Sequence, residues 1–199
     1  MKKLVLLCVT VMLYSGAHSQ TVNEEIERGI ALHDGALTQG ETSVTECLKA
    51  LRPFIETNMV ARAYYGSAIT IQASFFAADN PIKSLSLLEE GARYMDDAVA
   101  RGGDNGEIRL VRLSNGIEVS RSSPLKRYDA IADDVEWFGR NAWGSSPEER
   151  AAVLYNTGSY FLDAGAVEKA LEAFDACVAT GTDSESTRKA RDILRRYEE

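Results

Sequence analysis

Helical periodicity runs through almost the whole chain and leaves little room for any other secondary structure. Alternating β-branched runs closed by tight turns, the mark of β-hairpins, are nearly absent. The two Asn-Gly pairs, at Asn105 and Asn115, sit beside segments of helical period instead. Glycine, proline and asparagine divide the chain into nine helical segments joined by short turns. The expected fold class is all-α, built of antiparallel hairpins.

The first segment, 22–37, carries Ile26, Ile30, Ala31 and Leu37 on one stripe and stops at Gly40. The second, 43–57, turns Val44, Leu48, Leu51 and Ile55 inward, with Pro53 as its bend or weak point. The third, 58–77, is apolar over much of its surface through Ala63, Tyr64, Ile69, Ile71, Phe75 and Phe76, so neighbours must cover it on several sides. Asn80-Pro81 restarts the chain into 81–100, whose inward face is Leu85, Leu88, Ala92, Met95 and Val99. Segment 104–119 follows, with Ile108, Val111 and Ile117 inward. Ser123-Pro124 reads as the start of the next, which carries Leu125, Tyr128, Ile131, Val135 and Phe138. Ser146-Pro147-Glu148-Glu149 combines a capping hydroxyl, a first-turn proline and two acids, a strong start signal for a helix to Asp163. Segments 167–179 and 184–197 complete the chain. The last of these packs Ile193, Leu194 and Tyr197 inward and exposes Arg188, Lys189, Arg191 and Asp192.

The beginning of the chain has a different composition. Lys2 and Lys3 precede the apolar run LVLLCVTVMLY, and Ala17 and Ser19 supply small residues before Gln20, so residues 1–19 read as a cleaved signal peptide. The run is too short to span a bilayer. Cys8 lies behind the bulky Leu7, which argues against lipoprotein processing. Residues 20–199, about 180 in number, suit a single domain with its own core. A periplasmic or secreted location is expected, and the short Met-Lys-Lys opening suits a bacterial leader. Loss of Lys2 and Lys3 takes the formal charge from −8 to −10, which disfavours nucleic acid and anionic membrane surfaces as partners. Cys47 and Cys177 are separated by 130 positions with no framework spacing, so two buried thiols are a better reading than a disulfide. No Cys-x-x-Cys and no Cys/His cluster appears, and neither metal nor cofactor is expected.

Serial helical hairpins invite a search for repeats. Residues 151–184 place Gly158 and Phe161 in one helix and Ala170, Phe174 and Cys177 in the next, small and bulky residues at set intervals. This unit resembles the tetratricopeptide repeat, in which small residues let paired helices approach and bulky ones fill the gap between hairpins. Leu154 and Thr182 depart from the pattern, where Trp and Pro are usual. A degenerate second unit opens with Gly66 and Ile69 and closes with Gly91, Met95 and Ala98; Gly66 and Gly91 are 25 positions apart, against 12 from Gly158 to Ala170. Segments 22–57 and 104–140 keep only the hairpin form. Segment 62–113 also resembles uncharacterised exported bacterial helical-repeat proteins, a likeness of fold alone. The resemblance implies a tetratricopeptide-like α-solenoid, with the last helix as its cap.

A catalytic constellation is hard to assemble from these residues. His33 is the one histidine beyond the leader, which excludes two-histidine metal motifs. His33 and Asp34 are adjacent, and neighbouring helical residues diverge by about 100°, so they are not expected to face one another. The acidic pairs Glu89-Glu90, Asp96-Asp97, Asp133-Asp134 and Glu148-Glu149 read mostly as solvated helix faces or first-turn acids. The resemblance implies a concave surface formed by the first helix of each hairpin. Register then nominates Tyr155, Ser159 and Asp163 in the better repeat, and Ala63, Ser67 and Thr70 in the 58–77 helix, as binding residues facing the groove. The function expected is a non-enzymatic scaffold that docks a protein or peptide of the cell envelope. A transporter-associated small-molecule binder is the alternative, and a cell-wall-acting enzyme a more distant one.

Overall fold

The computed structural model describes residues 21–36, 38–144 and 146–198, so the signal-peptide reading of residues 1–19 and the inward placement of Leu37 fall outside the described residues. Among the described residues the protein is all-α, with nine helices and no strand. Residues 21–36 form α1. There follow α2 (Glu41–Leu51), α3 (Met59–Ser74), α4 (Pro81–Gly102), α5 (Gly106–Ser122), α6 (Tyr128–Arg140), α7 (Pro147–Asp163), α8 (Val167–Ala179) and α9 (Glu185–Glu198). No helix among the described residues is long and apolar enough to cross a membrane.

Side-chain caps set most of the helix starts. Asn58, Asn80 and Asn105 accept the amides of Ala61, Lys83 and Glu107, each satisfying one of the donors a helix N-terminus leaves open. At α7, Ser146 accepts from the Glu149 amide while the Glu149 carboxylate accepts from the Ser146 amide, a reciprocal cap ahead of Pro147. Pro53 ends α2 as a regular helix, and Arg52–Phe54 tightens into a 3-10 turn.

One start differs from expectation. Pro124 does not open α6, because the residue before a proline is pushed out of helical conformation and Ser123 is extended (φ −139°, ψ 167°). The following residues fold back over the end of α5, where the Arg127 amide donates to Ser120 Oγ and Lys126 Nζ donates to the Ser120 carbonyl. Helix α6 therefore begins at Tyr128, whose ring is 56% exposed rather than inward. Helix α3 ends at Ser74, earlier than its apolar run suggests, and Phe75 lies exposed in the turn beyond. Ala31, Leu85 and Tyr197 are also exposed, each at the margin of its helix's apolar stripe.

Close approach inside the hairpins depends on glycine. A Cβ on Gly66 would lie 2.6 Å from the Gly91 carbonyl oxygen, and one on Gly91 would collide with the Gly66 carbonyl, so α3 and α4 touch backbone to backbone. A Cβ on Gly158 would lie 2.7 Å from the Phe174 ring, which is wholly buried between α7, α8 and α9. The apolar interior is a chain of small clusters. Ile26, Cys47, Leu51 and Ala61 join α1, α2 and α3; Ala63, Ala98 and Ile108 join α3, α4 and α5; Leu113, Ile117 and Ile131 join α5 and α6. Helix α3 packs most extensively on α4, α5 on α6 and α7 on α8, while α3, α5, α7 and α9 also touch in sequence.

The two described cysteines are free and buried. Cys177 Sγ donates to the Ala151 carbonyl at 3.2 Å, and burial with the nearby Asp34 charge pushes the Cys47 thiol up to about 12. Both are packing residues and inert as nucleophiles at neutral pH.

Candidate binding cleft

Three helices that touch side by side or through their partners bring polar side chains into one cleft. Its volume is about 230 Å³, and its walls are His33 and Asp34 from α1, Tyr64 and Ser67 from α3, and Glu107, Ser114 and Asn115 from α5. These residues sit on helices, so packing of whole elements fixes their positions. Gly66 and Ala63 let α3 sink against its neighbours, and this holds Tyr64 and Ser67 at the cleft floor.

A continuous hydrogen-bond chain crosses that floor. His33 Nδ1 lies 3.1 Å from Asp34 Oδ1, and His33 Nε2 lies 2.8 Å from Ser67 Oγ. Asn115 Nδ2 donates to Ser67 Oγ at 3.2 Å and to Thr70 Oγ1 at 2.5 Å. Thr70 Oγ1 in turn donates to the Ser67 carbonyl at 2.7 Å. On the next layer Asn156 of α7 donates to Ser114 Oγ at 2.9 Å. The expectation that His33 and Asp34 do not face each other is wrong: the short Asp34 side chain bends back to the ring at the helix surface, and Ser67 supplies a partner on the far nitrogen.

The cleft is electrostatically negative. Burial, then the charge of Glu107 and those of Asp34 and Glu149, pushes the Tyr64 hydroxyl above its ordinary value. Glu107 is also pushed up, first by burial and then by repulsion from Glu149 and Asp34, with the Tyr64 hydroxyl donating to it in partial compensation. His33 and Tyr64 pack edge to face with ring centres 5.0 Å apart.

The residues nominated by register divide. Ser67 and Thr70 belong to the chain of hydrogen bonds across the cleft floor; Ala63 is wholly buried beneath it among Ala98, Val99 and Ile108. Tyr155 packs instead against Phe174 on the α8 side of α7. Ser159 is buried, and its hydroxyl has no hydrogen-bond partner among the described residues. Asp163 forms a two-pronged pair with Arg121 at 2.7 and 2.9 Å, joining the C-terminal ends of α5 and α7 beside a separate open hollow of about 370 Å³. The three α7 residues therefore do not share a site with Ser67 and Thr70.

Behind the cleft, on the other face of α5, lies an ion-pair network that sequence reading places in solvent. Asp134 is fully buried and accepts from Arg109 at 2.9 Å and from Arg112 at 2.8 and 2.7 Å. Arg112 also reaches Asp133 at 2.6 Å, and Arg127 grips Asp96 with two bonds of 2.7 Å. Burial alone would raise the Asp96 carboxyl, but the hydrogen bonds and charges of Arg127 and Arg112 outweigh it and hold it low. The network fastens α4, α5 and α6 together.

No protein-family model matches the chain, and neither the curated proteins nor the solved structures give a match.

Proposed function

We propose that the chain is a non-enzymatic docking module whose hairpins stack in tetratricopeptide-like fashion and whose cleft between α1, α3 and α5 receives a segment of a partner protein. Several contacts support the stacked arrangement: each hairpin leans on the next, the odd-numbered helices α3, α5, α7 and α9 touch in sequence, and the interior divides into clusters shared by neighbours. The observation that carries the docking reading is the convergence of His33, Tyr64, Ser67, Glu107 and Asn115, drawn from three helices, on one open cleft. At about 230 Å³ it lies below the roughly 300–1,000 Å³ typical of small-molecule sites, so a side chain of a longer segment fits it better than a whole ligand. With the leader-like start, this reading places the protein in the periplasm or outside the cell, docking a protein of the envelope.

Affinity capture from a host envelope extract tests it, comparing the wild type with Asn115→Trp, which fills the cleft. A partner retained by the wild type and lost by the filled variant is expected. Equal capture by both would remove the cleft from the account.

One observation favours a second reading. Asp34, His33 and Ser67 follow the order of an acid, a base and a nucleophile, within 3.1 and 2.8 Å of one another. Against it, Asp34 is 68% exposed and Ser67 lies inside α3, where neighbouring amides are committed to helical hydrogen bonds and leave only Asn115 Nδ2 to face an oxyanion. A fluorophosphonate probe decides between the two: docking predicts no label on Ser67, and acyl transfer predicts label lost in His33→Ala.

A further inference from the structure

We propose that the segment taken by this cleft is basic, with a lysine or arginine side chain entering beside the Tyr64 ring between Asp34 and Glu107. The proposal rests on the docking reading and names the chemistry of its partner.

Charge complementarity carries it. Asp34 comes from α1 and Glu107 from α5, and their negative charges converge on the same tyrosine. The guanidinium groups on the three helices that form the cleft are engaged elsewhere, Arg112 with Asp134 and Arg121 with Asp163 among them. Arg28 pairs with Glu25 and Glu46, Arg62 with Glu56 and Asp97, and Arg109 with Asp133 and Asp134 beside the Trp137 ring. The described ion pairs of Asp34 consist of its contact with His33, and Glu107 appears in none. A cation arriving from outside would therefore relieve a repulsion that the fold itself leaves in place.

The kind of cation follows from the geometry. Among the described residues no group of three or more acidic, histidine or cysteine side chains is arranged to hold a metal ion. Tyr64, packed edge to face with His33, is one of the lining residues, and an aromatic ring favours an organic cation such as an ammonium or guanidinium. A long apolar stem with a charged tip suits a cleft whose lining combines Leu110 and Val111 with the two carboxylates. Asn115, on the same helix as Glu107, keeps its amide oxygen for the backbone of the entering segment, its nitrogen being held by Ser67 and Thr70.

The test is a display library of random peptides, selected on the purified protein, on Asp34→Asn/Glu107→Gln, and on Asn115→Trp. Urea unfolding of each variant verifies that the fold is intact. Enrichment of lysine or arginine on the wild type is expected, with synthetic copies binding the double variant about tenfold or more weakly. Enriched peptides that need the open cleft but lack basic residues would overturn the basic assignment and leave docking standing. If no enriched peptide is sensitive to Asn115→Trp, docking at this cleft fails as well.

Discussion

Removing the Asp134 carboxylate tests how α5 is held. Asp134→Ala deletes three hydrogen bonds from guanidinium groups and leaves Arg112, itself almost fully buried, without its principal counter-charge. Breaking a buried ion pair from one side costs about 3–5 kcal/mol. Here Asp133 still reaches Arg112 at 2.6 Å and Arg109 at 3.1 Å, so the expected loss lies near the lower limit, about 3 kcal/mol. Urea unfolding reads it directly: with a slope of about 1–3 kcal/mol per molar for a domain of this size, the midpoint should fall by roughly 1–3 M at unchanged slope. Replacing both partners by apolar residues of similar size, Arg112→Met with Asp134→Leu, removes the stranded charge. The pair should therefore lose much less than the sum of the single changes. A midpoint shift under about 0.5 M for Asp134→Ala, or additive losses in the double variant, would refute the view that this network holds α5 in place.

Gly66→Ala should destabilise by about 1–3 kcal/mol despite the better helix propensity of alanine, because its methyl meets the Gly91 carbonyl and a backbone obstacle cannot rotate away. A thermal melt measures it, and an unchanged or higher melting temperature would contradict the backbone contact between α3 and α4. Glu107→Gln should stabilise the protein at pH 7, since the fold raises this carboxyl and so disfavours its ionised form, while glutamine still accepts from Tyr64. The gain should vanish as pH falls below the ordinary glutamate range, where Glu107 is protonated in the folded and unfolded chain alike. Urea midpoints at pH 7 and at acid pH check both halves, and a destabilised variant at pH 7 would show that the fold does not disfavour the ionised form of Glu107.

Helix content and the close approach of α7 and α8 are legible in the sequence because they follow from spacing. Gly158 and Phe174 meet as the small-and-bulky pattern implies, and Ser146-Pro147-Glu148-Glu149 starts α7 as capping chemistry requires. Register puts Ser67 and Thr70 on the face of α3 that meets the cleft, and both take part in its hydrogen bonds. Tyr155, Ser159 and Asp163 sit elsewhere, because a shift of one position around α7 decides between the α5 face, the α8 face and solvent. The other half of the cleft was missed for two reasons. The helical period places Asn115 inside segment 104–119, but its partners Ser67 and Thr70 lie 48 and 45 positions away on α3, beyond what local spacing shows. His33 and Asp34 were judged on their own helix, whereas the decisive partner, Ser67, is 34 positions away. Asp133-Asp134 looked like a solvated acidic pair because their arginine partners lie more than 20 positions upstream on α5. A search for arginines at helical spacing, such as Arg109 and Arg112, opposite paired acids on the next helix would have found the network.

Photo-crosslinking in the living host tests the central claim most directly. A photoreactive phenylalanine analogue replaces Leu110 at the cleft wall in one strain and the exposed Glu172 of α8 in another. The account predicts a discrete crosslinked partner from position 110 that disappears when Asn115→Trp fills the cleft, and none of that size from position 172. The same partner from both positions, or a product at position 110 that survives Asn115→Trp, would contradict docking at the cleft.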